Sequence, residues 1–199
     1  MGRAFADWYD FFMSPLEKSK FKGIRTKLVS KAIGNVLEIG AGTGVNFPLY
    51  NKADKVTAIE PSKYMIEESK AKLQKANVPI KIIQAGAEKL PFEKDSFDTI
   101  VATLVFCTIP DVNAAIKEIK RVCKPDGKIL LFEHVKMENP MLAKLQVKLT
   151  PYWEKVCDGC CLDRNTIESF KRNGLVIEKV DSYFKGLFIT AEARQNTKG

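Results

Sequence analysis

The chain is short of several things, and each shortage excludes a class of protein. No apolar stretch in its 199 residues approaches the roughly 20 that a membrane span needs, so no transmembrane helix is expected. No secretory leader is visible, because Met1-Gly2-Arg3 runs straight into an aromatic, acid-containing segment. Ala6 stands where a myristoylation signal would carry Ser or Thr. Histidine occurs once, as His134, and the single Cys157-Asp158-Gly159-Cys160 run has no second C-x-x-C to pair with. Paired zinc knuckles are therefore not expected, and Cys157, Cys160 and Cys161 read as packing or loop-bracing residues rather than metal ligands. Five cysteines without an export signal fit reduced thiols in a cytoplasm. There is no internal repeat, no low-complexity tract and no arginine-rich block. The net charge of +8 comes from lysines scattered along the chain, which reads as solvated helix faces rather than a nucleic-acid surface.

What is present is enough for one ordinary domain, 1–199, since 45% hydrophobic residues can fill a core at this length. Apolar positions at helical spacing predict an amphipathic segment over 4–16 and a second helix to Ile33, capped at Gly34. Together these form an N-terminal helical cap, 1–33. Short β-rich runs then alternate with helical ones. Strands are predicted at 36–39, 56–60, 80–83, 97–103 and 128–133, with helices from the glycine turn to about Tyr50, from Ser62 to Asn77 and from Asp111 to Cys123. Lys124-Pro125-Asp126-Gly127 reads as a turn. The alternation implies a doubly wound α/β sheet, mostly parallel. It is followed by a helical insertion, 135–165, and a helix at 167–173. Two last strands, 175–180 and 187–193, make an antiparallel C-terminal hairpin, for seven strands in a Rossmann-like order.

The chain is organised around Val36-Leu37-Glu38-Ile39-Gly40-Ala41-Gly42-Thr43-Gly44. A strand carrying one acid enters a turn of alternating glycines, where bare backbone can approach a ligand. Dinucleotide sites favour G-x-G-x-x-G, but Val45 occupies the position of its third glycine. Glu38 would repel a pyrophosphate and attract an ammonium group. Glu60, at the end of the second strand, can accept both hydroxyls of a ribose. Two acids and this glycine spacing select S-adenosylmethionine over a nicotinamide dinucleotide.

These residues resemble motif I of the class I S-adenosylmethionine-dependent methyltransferases. Glu60-Pro61-Ser62-x-x-Met65 is similar to motif II, Ala87-Glu88-x-Leu90-Pro91-Phe92 to the adenine loop, and Ser96-Phe97-Asp98 to the start of strand four. Arg121-Val122-x-Lys124-Pro125-x-Gly127 resembles the turn before strand five. The adenine loop departs from the family at Gly86, where relatives carry Asp. The resemblance implies that Glu38 lies near the donor's amino group, with Gly40, Ala41, Gly42 and Gly44 along its carboxylate end. It implies that Glu60 takes the ribose, Pro61 and Met65 one adenine face, and Ala87 and Glu88 the adenine edge. Thr103 and Leu104 would approach the methionine part, Cys107 the transferred methyl, and Tyr9 would close the pocket or fill core.

In the C-terminal third, Leu104-Val105-x-Cys107, Glu133-His134-Val135, Pro151-x-Trp153 and Asp158-Gly159-Cys160-x-Leu162-x-Arg164 are similar to the methyltransferase-like thiol S-methyltransferases of animals. Phosphatidylethanolamine N-methyltransferases are the next resemblance. The reaction implied is methyl transfer to a small-molecule thiol or similar nucleophile, with a phospholipid amine as the alternative. A binding module without catalysis is the reading from another class. An RNA methyltransferase is disfavoured, because no aromatic and basic stripe is present. His134, at the end of strand five, is either the base or a residue bonded to the insertion. In the insertion, Met141, Leu142, Leu145 and Leu149 alternate with Lys144 and Lys148, which suits a cap over the acceptor and leaves peripheral membrane contact open. No nucleic-acid partner is expected.

Overall fold

The computed structural model describes residues 20–196 apart from Asp158. The expected segment over 4–16, including Tyr9, lies outside the described residues. Seven strands form one sheet: β1 (Gly34–Ile39), β2 (Ala53–Ile59), β3 (Ile80–Ile83), β4 (Phe97–Thr103), β5 (Cys123–His134), β6 (Leu175–Tyr183) and β7 (Phe188–Gln195). Their order is β3-β2-β1-β4-β5-β7-β6. The first five are parallel, and β7 runs antiparallel to both β5 and β6. Strand order reverses between β1 and β4, and open sheets bind ligands beyond the carboxyl ends at such a point.

Helices cover both faces because the central strands are apolar on both sides. On one face α1 (Lys22–Val29) sets Ile24, Leu28 and Val29 against Val36, Val101, Leu130 and Phe132. On the other, α3 (Val112–Val122) buries Ala115, Ile116, Ile119 and Val122 against Leu37, Ile100 and Leu131. Phe170 of α5 (Thr166–Arg172) joins that cluster through an edge contact with Phe106. Ser62 caps α2 (Lys63–Leu73), as its sequence position predicts, by accepting the Met65 N–H at 3.4 Å.

Three local expectations are corrected. The N-terminal helix ends at Val29 with Ser30 as its C-cap, and Gly34 opens β1 instead of capping a helix that runs to Ile33. No α-helix follows the glycine turn. The chain runs through turns to a single 3₁₀ turn, Phe47–Leu49. Gly44, at φ +75°, and Pro48 inside the next turn interrupt a regular hydrogen-bond ladder. Lys124-Pro125-Asp126-Gly127 is likewise not a free turn before β5 but lies within it. The pairing jumps from Phe97 opposite Cys123 to Thr99 opposite Lys128, so these residues bulge out of the edge of the ladder. The insertion is helical as expected, with α4 spanning Pro140–Val156.

Candidate active site

Gly40, Gly42 and Gly44 all have positive φ (+65°, +53° and +75°), but they are needed for different reasons. A Cβ on Gly40 would lie 2.2 Å from Val105 Cγ2, and one on Gly44 2.7 Å from the Phe47 ring. A Cβ on Gly42 would meet nothing within 4 Å. The outer glycines therefore close the turn onto the protein, while the middle one opens onto space. Ala41 is buried and donates its N–H to the Ile59 carbonyl at 3.0 Å, which fastens the turn to β2. Glu60 follows β2, and its carboxylate accepts N–H groups from Gly42 and Ser62, each at 2.9 Å. A buried carboxylate thus stands beside the open face of the turn.

Behind the turn lies a buried polar network. Glu38 accepts Asn46 Nδ2 at 2.8 Å and the Tyr50 hydroxyl at 3.0 Å. Thr103 Oγ1 accepts Arg25 Nη1 at 2.6 Å and Asn46 Nδ2 at 2.9 Å. Burial pushes the Glu38 pKa up to about 7, against the opposing pull of Asn46, Tyr50 and Arg25. Glu38 and Thr103 thus lie at the end of β1 and of β4 as expected, each engaged with protein donors. Their partners Arg25, Asn46 and Tyr50 escape sequence reasoning, because nothing in their local pattern distinguishes them from helix-surface or turn residues. A lone arginine among the lysines of α1 is the one signal that could have drawn attention.

Of the residues expected at the adenine, Met65 and Ala87 are buried and Pro61 is exposed. The Glu88 carboxylate lies over Gly86, 2.9 Å from where a Cβ would be. That oxygen is the far end of a flexible side chain, so a small movement of Glu88 would make room for a side chain at position 86.

The remaining residues gather beyond β4 and β5. Leu104 takes a left-handed φ of +53° and donates its N–H to the Phe132 carbonyl at 2.6 Å, turning the chain sharply after Thr103. Glu133 Oε1 accepts the N–H groups of Val105 and Phe106 at 3.1 and 3.3 Å, which holds this turn. Cys107 and His134 are both buried, His134 at 8% exposure. Among the described residues, neither nitrogen of the His134 ring has a hydrogen-bond partner. Burial holds its pKa below the ordinary value, so the imidazole is neutral near pH 7.

Beyond α4 the chain returns to this point. The Cys161 N–H donates to the Cys107 carbonyl at 3.0 Å, and Arg164 Nη1 donates to the carbonyls of Phe106 and Ile109, each at 2.6 Å. These bonds tie the two loops together and bring Cys160 to Cys107 and His134. The sulfurs of Cys107 and Cys160 and a ring nitrogen of His134 all lie within 4.8 Å of one another. The expectation of no metal site considered Cys157, Cys160 and Cys161 with His134. The fold instead groups Cys160 with Cys107, 53 residues away in the chain.

The residues present fit an adenosine donor without phosphate. Gly42 leaves room at the turn, and Glu60 offers a buried carboxylate beside it. A methyltransferase-domain family model matches residues 37–131. The mouse thiol S-methyltransferase TMT1B is 31% identical over 180 residues, which cover 83% of this chain and 74% of that protein. The phosphatidylethanolamine N-methyltransferase of Cereibacter sphaeroides is 28% identical over 156 residues, 76% of each chain. The crystal structure of Bacillus subtilis YcgJ shares the fold, with a TM-score of 0.66 at 21% identity over 87% of this chain and 97% of that one. The chain belongs to the class I S-adenosylmethionine-dependent methyltransferases. Its cofactor is S-adenosylmethionine.

Proposed function

We propose that the methyl acceptor is a small-molecule thiol and that His134 is the base that takes its proton. The observation that carries this reading is the state of the His134 ring. It is buried at the carboxyl edge of the sheet, it has no hydrogen-bond partner at either nitrogen, and burial keeps it neutral. A thiol reacts as the thiolate, and a neutral imidazole with a vacant lone pair is suited to remove its proton. The bound donor supplies an electrophilic methyl on a sulfonium, so that a new S–CH₃ bond forms as the old one breaks and S-adenosylhomocysteine leaves. Glu60 holds the ribose, Glu38 and Thr103 lie toward the methionine end, and Met65, Ala87 and Glu88 border the adenine. Leu104 and Cys107 flank the methyl, and the buried surroundings exclude water.

Labelled donor offered with thiols, phenols, phospholipid amines and RNA tests the acceptor class, and a product confined to RNA or lipid would overturn the thiol reading. His134→Gln should lower kcat by on the order of 10²- to 10⁴-fold, as loss of a general base does. Its affinity for S-adenosylhomocysteine should stay unchanged. Undiminished kcat in that variant removes His134 from the role of base.

One observation favours a phospholipid amine as the second reading. Helix α4 turns Ala143, Gln146 and Thr150 inward, while Met141, Leu145, Val147, Leu149, Tyr152 and Trp153 are exposed. Lys144, Lys148 and Lys155 lie among these apolar side chains. An apolar outer face studded with lysine suits an anionic lipid surface. Among the described residues no helix is long and apolar enough to cross a membrane. Cosedimentation with anionic vesicles, lost in Met141→Asp/Tyr152→Asp, would support this second reading, and absence of binding would count against it.

A further inference from the structure

We propose that Cys107, His134 and Cys160 form a binding site for a soft divalent metal of the zinc class. The three ligand atoms lie within 4.8 Å of one another, and they are two sulfurs and an imidazole nitrogen. Tetrahedral zinc with bonds of about 2.0–2.3 Å sets its ligands roughly 3.3–3.8 Å apart, so small side-chain rotations close the set around an ion. His134 supplies an independent sign of a ligand. It is nine-tenths buried, its two nitrogens have no partner among the described residues, and the loop that carries Cys160 brings a sulfur to it. A polar ring left in that condition usually finds a partner, and a metal ion is one that thiols and imidazole share.

The loops are built to hold this set. Cys107 follows the left-handed turn at Leu104, whose amides are gripped by Glu133. Cys160 is held by the adjoining Cys161 N–H bond to the Cys107 carbonyl, and Arg164 clamps the carbonyls of Phe106 and Ile109. His134 is fixed by the pairing of β5 with β7, opposite Phe188. Ligands from three separate parts of the chain are therefore oriented before any metal arrives, which reduces the entropy lost on binding.

The set provides three protein ligands, one fewer than a closed structural zinc site. Loading deprotonates both cysteines and releases their protons to solvent, with no change of oxidation state. The fourth position is left for water or an exogenous thiolate. With an ion bound, His134 would hold the metal, so the base role proposed above belongs to the metal-free protein, and the ion would itself lower the pKa of a thiol at the fourth position. The catalytic consequence rests on the thiol reading given above, whereas binding does not.

The test uses the full chain, freed of metal by chelator and kept reduced. Zinc titrated against a chromophoric chelator should bind at one equivalent, and cobalt in its place should give the charge-transfer absorption of thiolate ligands. Cys107→Ser, His134→Gln and Cys160→Ser should each weaken zinc at least tenfold, while Cys157→Ser leaves its affinity unchanged. Cooperative thermal unfolding followed by circular dichroism confirms that each variant is folded. Absence of a stoichiometric site, or undiminished binding in both Cys107→Ser and Cys160→Ser, overturns the proposal. If zinc binds as described but no thiol is methylated, the thiol reading fails and the metal site stands. If thiols are methylated by a protein that binds no zinc, the metal site fails alone.

Discussion

The Glu60 carboxylate accepts the backbone N–H of Gly42 at 2.9 Å, across the gap from the end of β2 to the middle of the glycine turn. It does so on the one glycine of the three whose side has room for a ligand. The acid and the open backbone are thus one unit, and under the proposed reading the ribose hydroxyls of S-adenosylmethionine would meet an acceptor already in place.

Replacing Glu60 by Gln keeps an acceptor oxygen for Gly42 but removes the charge. Hydrogen bonds to charged groups contribute about 1.5–3 kcal/mol, so affinity for S-adenosylhomocysteine should fall by roughly 10- to 100-fold. Calorimetry on the purified variant measures it. A change of less than about threefold would mean that this carboxylate does not carry the ribose.

Much of this part of the molecule is legible in the sequence. The bounds of β3 and β4 match their apolar runs, and the order of strands follows from their alternation with helices. The juxtaposition of Gly40, Gly42, Gly44 and Glu60 is legible because they come from one strand–turn–strand unit, where spacing alone carries geometry. The juxtaposition of Cys107, His134 and Cys160 is not. Cys107 and Cys160 meet only because Arg164 and the Cys161 N–H join two loops that local pattern cannot pair. The buried network behind the turn was hidden for the same reason, since Arg25 reaches Thr103 across 78 positions. The helix expected after Gly44 failed differently: its apolar pattern was adequate, but the left-handed glycine and Pro48 overrode it.

The raised pKa of Glu38 gives the cofactor-free protein an unusual dependence on pH. In the fold this carboxyl titrates at about 7, and in the unfolded chain near 4.5, because burial disfavours its charged form. Between those values the folded state holds a proton that the unfolded state has lost. Stability from this group is therefore fully present below pH 4.5 and is lost as pH rises through 7. Tyr50, Asn46 and Arg25 face it and keep the shift from being larger. A shift from 4.5 to about 7 corresponds to roughly 3 kcal/mol. Glu38→Gln, which mimics the protonated form, should remove this decline. The check is urea unfolding of both proteins at pH 5 and pH 8, and parallel pH profiles would show that Glu38 ionises normally in the fold.

Gln146 offers the means to separate the donor side of the site from the acceptor side. It is buried in α4, its Oε1 accepts the Met137 N–H at 2.8 Å, and its Nε2 donates to the carbonyls of Val135 and Leu162 at 3.1 and 3.0 Å. One side chain therefore fastens the insertion both to the exit from β5, next to His134, and to the segment that leads from Cys160 to Arg164. Gln146→Leu keeps the volume and strips the partners from three backbone groups. An unpaired buried group costs about 1–3 kcal/mol, and two of these three groups are only part-buried, so the variant should lose on the order of 2–4 kcal/mol. Its effect on function should be one-sided. Nothing that Gln146 touches reaches the glycine turn or Glu60, so affinity for S-adenosylhomocysteine should hold while KM for the acceptor rises severalfold. Denaturant midpoints, donor calorimetry and acceptor kinetics on the same preparation give the three readouts. A parallel loss of donor affinity would show that the insertion braces the whole sheet edge rather than the acceptor side alone.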